Sequence, residues 1–297
     1  MINKRFLSNY YQVYCRKKNC DSLISNAGKL KEFKKIKNPF GYWIADPFVI
    51  KMDGKNYVFA ERFGLFSGRG SIVYTCIDER RNKWRLAIKE KYHMSFPNIF
   101  INANDVFLVP ETAKDNNSVS IYKASRFPFS WKKEKVIFQK EGYHPVDSIS
   151  LDPQPFSKTM LTYIEKDNKK ELLLLSKDND WFVEKKSFID TNLNLRPAGS
   201  PFLFNGSLVI PFQDCFRTYG GGMLFRKASF NKDELVLEDV LFEINPKNIT
   251  ECLATKKIVV GTHTYNQNDD FEVIDIKTLK FSILGFLDKI FKKVFEK

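Results

Sequence analysis

A chain of 297 residues, 43% of them hydrophobic and 28 of them phenylalanine, has the apolar mass for one packed domain without covalent staples. Five cysteines, Cys15, Cys20, Cys76, Cys215 and Cys252, are scattered and lack C-x-x-C spacing, which excludes a disulfide framework or a cysteine zinc site and reads as reduced thiols of a cytoplasmic protein. The formal charge of +13 asks for an acidic partner, and without a nucleic-acid motif that partner is an anionic membrane or a phosphate-bearing substrate, not nucleic acid.

Residues 1–18 are broken by Asn, Gln, Tyr and Arg and hold no signal-peptide core, and the longest aliphatic run, 172–175, is far too short to cross a bilayer. The expectation is a cytoplasmic protein, at most peripheral at the inner face of the membrane. Within this opening segment, 10–16 reads as a strand that closes a ring with the last repeat, so that no edge is left free. From there one layout returns along the chain. Asp46-Pro47-Phe48 leads to Glu61, Pro97-Asn98 to Glu111, Asp152-Pro153 to Glu165, Ser200-Pro201-Phe202 to Gln213, and a weaker Glu251-Cys252-Leu253 to His263. The terminal polar residues stand 50, 54, 48 and 50 positions apart. A period of this length built from short strands predicts an all-β, five-bladed β-propeller with blades near 43–90, 95–140, 147–190, 198–245 and 249–280. Trp84, Trp131 and Trp181 share one place in the repeat, which reads as packing between blades. The tail, 281–297, carries apolar residues at i, i+3, i+4 and i+7 with lysines opposite, and reads as an amphipathic helix. It lies on an anionic membrane or packs against a blade or a second subunit, and both readings stay open.

Inner strands of a propeller face one axis, so their ends converge although they are distant in sequence. Two rings of candidates follow, Asp46, Asn98, Asp152 and Ser200 at the strand starts, and Glu61, Glu111, Glu165, Gln213 and His263 at the strand ends. Each carboxylate alone is a turn cap; several of them around one His and one Arg form a pattern of perturbed acids. Gln213, Asp214, Arg217 and Tyr219 precede Gly220-Gly221-Gly222, which either admits a ligand to the backbone or makes a tight hairpin. His144 and His93 stand in loops before blades three and two, where they either line the cleft or bond to backbone. Three histidines without paired spacing predict no transition-metal site, and the cofactor left open is a divalent cation on carboxylates.

The series Ala45-Asp46-Pro47-Phe48, Pro110-Glu111-Thr112, Arg196-Pro197-Ala198-Gly199, Gln213-Asp214-Cys215 with Tyr219-Gly220, and Gly261-Thr262-His263-Thr264 resembles the N-terminal propeller domain of glucosamine inositolphosphorylceramide transferases, over about 35–275. Similar domains accompany bacterial surface-polysaccharide genes. In the plant proteins a separate glycosyltransferase domain follows the propeller, and it is not among these residues. More distantly, the Asp-Pro start of blade one resembles five-bladed furanosidases and mannoside phosphorylases. That resemblance implies an acid in blade one as base, one in blade three that tunes its pKa, and a Glu near blade four as proton donor. Asp46 and Asp152 match the first two, whereas the third place reads Arg196 and offers a cation.

Hydrolysis needs two opposed carboxyl groups, so the leading expectation is a transferase using an activated or phosphorylated sugar in cell-surface polysaccharide or glycolipid synthesis. Asp46 is then the base, Asp152 and Glu111 orient sugar hydroxyls, and the fork of Arg196 holds phosphate with His263 beside it. The alternatives are a noncatalytic glycan-binding or accessory module, and a glycoside hydrolase or phosphorylase in which Glu111 or Glu165 replaces the missing donor.

Overall fold

The computed structural model describes residues 7–18, 32–102, 104–112, 116–151, 159–166, 169–178, 181–189, 195–215, 218–231, 234–253 and 258–281. They form a five-bladed β-propeller. Blade one runs outward through Tyr42–Met52, Lys55–Gly64, Gly70–Cys76 and Arg85–Ile88, each antiparallel to the last. Blade two repeats this with Ser95–Asn102, Asp105–Glu111, Ser118–Arg126 and Ser130–Gln139, and blade three with His144–Ser150, Thr159–Lys166, Lys169–Asp178 and Trp181–Ile189. In blade four the inner strand is split into Arg196–Pro197 and Phe202–Phe204, ahead of Ser207–Asp214, Gly222–Asn231 and Glu234–Ile244. The hairpins Asp53-Gly54 and Asn205-Gly206 have φ of 49° and 72°, and 49° and 77°, the left-handed pairs that fit two-residue turns between twisted strands.

Blade five is built from both ends of the chain. Val259–Gly261 and Tyr265–Gln267 pair with Phe271–Phe281, which pairs in turn with Leu7–Lys17 from Leu7 opposite Phe281 to Lys17 opposite Phe271. Lys34–Lys35 adds the outer edge. The seam carries a buried ion pair, Arg16 Nε to Glu272 Oε2 at 2.5 Å, whose carboxylate also accepts Tyr265 Oη at 2.5 Å. Where the repeat places the start of its fifth copy, the chain forms the helix Pro246–Leu253. Asn245 caps it by accepting the Lys247 and Asn248 amides at 3.0 and 3.1 Å, and proline suits its first position. The tail expected as a helix lies outside the described residues, except that Phe281 ends a strand.

Apolar faces pack between neighbouring blades. Phe48 meets Phe96 edge-on at 4.9 Å, and Trp131 of blade two lies edge-on to Phe59 of blade one at 5.6 Å. Trp84 of blade one packs on the cluster that holds Val13 and Val273 of blade five.

The inner strands share one irregularity. Pairing skips two residues between Ala45 and Phe48, Ser95 and Asn98, and Val146 and Ile149, and the first skipped residue has positive φ: 52° at Asp46, 43° at Phe96 and 46° at Asp147. Such bulges re-aim a side chain and leave backbone groups unpaired in the ladder. In blade four the same interruption follows Pro197, where a Cβ on Gly199 (φ 151°) would lie 1.9 Å from the Tyr265 carbonyl, so only glycine fits. Buried side chains tie these bulges across the axis. Asn98 accepts the Ser150 amide at 3.1 Å and donates to Ser200 Oγ at 3.0 Å, while Asn266 accepts the Ser200 amide at 2.7 Å and donates to the Pro47 carbonyl at 2.8 Å. Asn98→Ala leaves the Ser150 amide without this acceptor and is expected to lower the unfolding free energy by about 2 kcal/mol. Urea titration measures this, and an unchanged midpoint at unchanged slope contradicts the axial role.

Candidate functional site

At one end of the axis, blades five, one and two meet on Asp46. Its Oδ2 accepts the Phe96 amide at 3.1 Å and its Oδ1 accepts Thr264 Oγ1 at 2.9 Å. Its own amide donates to Asp275 Oδ2 at 3.1 Å, and Asp275 Oδ1 accepts the His263 and Thr264 amides at 3.0 and 3.2 Å. His263 Nδ1 stands 2.6 Å from Asp275 Oδ2 and 3.5 Å from Asp46 Oδ1. The ring of His263 stacks on Tyr11 at 4.6 Å and receives the edge of Tyr219 at 5.6 Å. Burial alone favours a neutral imidazole, but the charges of Asp275 and Asp46 outweigh it and hold the His263 pKa above its ordinary value. Burial likewise opposes ionisation of Asp275, yet His263 brings its pKa below the usual value. Asp46 is the weaker acid: burial, against the pull of His263 and with the charges of Asp275 and Asp147, raises it to about 6.

A second cluster joins blades two, three and four. Arg196 Nε donates to Asp147 Oδ2, and its Nη2 donates to Glu111 Oε2 at 2.8 Å. Gln213 Nε2 donates to the same Asp147 oxygen at 3.0 Å and to the Pro197 carbonyl at 3.2 Å. The Arg196 guanidinium lies 5.2 Å from the ring of Tyr219, a side chain that is 47% exposed. The backbone carbonyl of Tyr219 accepts Lys277 Nζ at 2.7 Å. Burial pushes Glu111 well above the usual carboxylate range although Arg196 pulls the other way. Glu61, between the clusters, is also raised well above that range, by burial and then by Asp46 and Glu111. His93 Nδ1 accepts the Gly70 amide at 2.9 Å, so its Nε2 carries the hydrogen of the neutral ring and faces Glu61 Oε1 at 3.4 Å.

The residues expected from the sequence are therefore brought together unevenly. Asp46, Glu61, Glu111, Arg196, Gln213, His263 and Tyr219 belong to these two clusters, and Asp214 ends the strand that carries Gln213. His144 sits at the exposed rim with Nδ1 2.7 Å from Asn117 Oδ1, opposite Glu165 in the strand pair. Asp152 and Arg217 lie outside the described residues. The bulge position of blade three is held by Asp147, which is 101 residues, two repeats, after Asp46. The Arg196 fork differs from the expectation: it closes on two protein carboxylates and does not stand open for phosphate. His263 similarly faces two carboxylates. The glycine run serves close packing against protein, because a Cβ on Gly220 would lie 3.0 Å from His263 Cδ2 and one on Gly261 1.9 Å from the Gly220 carbonyl. Asp275, Thr264 and Tyr11 are additions that the repeat does not mark. Their signal is a lone acid, Asp275, inside the buried apolar run Val273 to Ile276. One ligand atom each from Asp46, His263 and Asp275 lie within 4.8 Å of one another, a spacing that would accept a cation.

Residues 32–251 match the family described as glucosamine inositolphosphorylceramide transferase 1, N-terminal. The chain is 28% identical over 220 residues to glucosamine inositolphosphorylceramide transferase 1 of Oryza sativa subsp. indica, a match that covers 70% of this chain and 28% of the rice protein. The Arabidopsis thaliana protein of the same name is 28% identical over 220 residues, covering 68% of this chain and 28% of its own length. The chain thus spans a little over a quarter of the curated relatives it matches. Among solved structures, the catalytic domain of a Coprinopsis cinerea GH62 α-L-arabinofuranosidase superposes with a TM-score of 0.59 at 13% identity, covering 81% of this chain and 92% of that one. A Bombyx mori GH32 β-fructofuranosidase gives 0.54 at 12% identity, covering 94% of this chain and 62% of that one. These identities show a common fold.

The raised pKa of Asp46 has a definite sign in stability. Between its ordinary 3.8 and about 6 the folded state holds the extra proton, so this residue's contribution falls as pH rises through that window and is lowest above it. His263, raised, adds stability that is lost only above its own ordinary 6.5, and Asp275, lowered, adds stability that is lost only below 3.8. Asp46→Asn is expected to flatten the decline of unfolding free energy between pH 4 and 6, measured by urea titrations across that range. A slope identical to that of the unmodified protein contradicts the assignment.

Proposed function

Because this chain belongs to the glucosamine inositolphosphorylceramide transferase N-terminal family, we propose that its axial funnel binds a sugar and supports transfer from an activated donor to an acceptor hydroxyl in glycan or glycolipid synthesis. Asp46 is the base. A carboxyl whose pKa lies near 6 is ionised at neutral pH yet basic enough to take a proton as the hydroxyl attacks. Asp147 and Glu111, held by Arg196, present oxygens of fixed orientation for sugar hydroxyls, and the exposed ring of Tyr219 offers the apolar face of a sugar a surface to lie on.

The observation that carries this reading is the double engagement of Arg196. Glycoside hydrolysis calls for a carboxylic acid opposite the base, and the opening of blade four holds instead a guanidinium bonded to Asp147 and Glu111. Glu61 turns its Oε1 toward Gly70 and His93. The funnel thus has a base and, at the opening of blade four, a cation where hydrolysis would place its acid, which suits a leaving group that departs as an anion, as an activated sugar's phosphate does. A second reading is a noncatalytic sugar-binding module, favoured by the engagement of Asp46 and Glu111 in bonds that tie the blades together.

Turnover of a panel of nucleotide sugars, with sugar and lipid-glycan acceptors, tests the assignment. Asp46→Asn is expected to lower turnover by about 10²- to 10⁴-fold while sugar binding persists, and unchanged turnover removes Asp46 as base. Sugar binding by the unmodified protein without turnover of any donor selects the binding module. Tyr219→Ala is expected to weaken sugar binding by about tenfold under either reading, and calorimetric titration giving equal affinity for both forms contradicts the sugar-stacking role of that ring.

A further inference from the structure

Blade one ends in an apolar tip that is exposed among the described residues. Phe40 is 96% exposed, Phe66 72% and Leu65 40%. Isolated exposed apolar side chains are ordinary, but two phenylalanines and a leucine side by side are a patch of the kind that meets another phase. The tip is firmly built. The Leu65 amide donates to the Gly41 carbonyl at 3.0 Å, Gly68 to Gly64 at 2.9 Å and Gly64 to Arg69 at 3.0 Å. Gly41 and Gly68 take φ of 79° and 64°, and a Cβ on Gly41 would come 3.3 Å from the Phe66 ring. Behind the tip, Trp43 stacks on Phe63 at 4.5 Å, which fixes the strand ends that project it.

The place of this tip relates it to the funnel. Tyr42 pairs with Gly64 and Ala45 with Glu61, so the tip stands five or six residues along these strands from Asp46, about 16 to 20 Å at the rise of a β-strand. The loop of Leu65 and Phe66 links the second and third strands of blade one, as the loop of Tyr219 does in blade four. The apolar tip and the funnel mouth therefore lie on one face of the propeller. Cations lie beside the tip. Arg62, lying over Tyr42, Arg69, whose Nη1 donates to the Lys91 carbonyl at 3.0 Å, Lys91 itself and Lys37 flank it, on a chain of net charge +13.

We propose that Phe40, Leu65 and Phe66 insert into an anionic lipid surface, with the flanking cations on its phosphates, so that the funnel mouth faces the membrane. Apolar side chains ringed by Lys and Arg match the boundary between acyl chains and anionic headgroups. A second copy of the chain is a poorer occupant, because the same basic tip would meet its own charge. This docking goes beyond the sugar chemistry and does not depend on it.

Co-sedimentation of the full chain with phosphatidylcholine vesicles, with and without about 30% phosphatidylserine, tests the proposal. Binding is expected to the anionic vesicles and to weaken in high salt. The paired substitution Phe40→Ser with Phe66→Ser is expected to reduce it by about tenfold or more, at unchanged melting temperature. Arg69→Gln with Lys91→Gln is expected to reduce binding to the anionic vesicles and leave the weak binding to neutral ones unaltered. The proposal is overturned if the unmodified chain binds neither vesicle, or if the phenylalanine pair can be replaced with no loss while removal of 282–297 abolishes binding. It is overturned equally if those phenylalanines prove to support self-association and no vesicle binding. Turnover or sugar binding with soluble acceptors is expected to be unaffected by the phenylalanine substitutions, which separates failure of docking from failure of the funnel assignment.

Discussion

The carboxylate of Asp46 is the constraint on which the rest of the structure depends. The inner strands of blades one, two and three bulge near the axis, and a buried amide left outside the ladder needs another acceptor. Asp46 accepts the amide freed at Phe96 of blade two and the hydroxyl of Thr264 of blade five, while its own amide goes to Asp275. One side chain thereby links three blades, including the one sewn from both ends of the chain. Arg196 and Gln213 do the same for Asp147 and Glu111 on the other side.

Ring closure and chemistry follow from the same burial. Carboxylates gathered around an axis repel, and removing them from water disfavours their charge further. The protein answers with one imidazole, whose pKa its acidic neighbours raise, and one guanidinium, each set between two carboxyl groups. Compensation is unequal, however. Asp275 takes the nearer contact with His263 and becomes the stronger acid, whereas Asp46 is left with a pKa of about 6. A residue that closes the fold is by this means also poised to accept a proton near neutral pH. The fold resembles that of a GH62 α-L-arabinofuranosidase, and the opening of blade four carries a cation bonded to Asp147 and Glu111.

Much of this architecture can be read from residue order, because five strand-ending polar residues at a period near fifty imply convergence on an axis. Asp46, Glu61, Glu111, Arg196, Gln213 and His263 are legible for that reason. Asp147 is not, because the pair Asp152-Pro153 repeats the chemistry of Asp46-Pro47, so sequence similarity does not single out an acid five residues earlier. The pairing of Val146 with Tyr163, where blades one and two set Ala45 and Ser95 opposite Glu61 and Glu111, shows that blade three carries its acid on the inner strand instead. Asp275 escapes the repeat because the fifth copy reads one strand early: His263 lies within the split inner strand, between Val259–Gly261 and Tyr265–Gln267, and the second strand of blade five is Phe271–Phe281, which carries Asp275. The engagement of Arg196 by two carboxylates is likewise invisible in sequence, where its charge appears available to phosphate. The helix Pro246–Leu253 follows a local rule, an Asn cap and a following Pro, that overrides the weak fifth copy of the repeat.

The central claim is that distant blades build one sugar site around Asp46. A crystal structure obtained after soaking with nucleotide sugars tests it most directly. The account predicts a sugar against the ring of Tyr219 with a hydroxyl within hydrogen-bond reach of Asp46, Asp147 or Glu111. Sugar density confined to the outer strands, with the funnel left unaltered by saturating ligand, would contradict it.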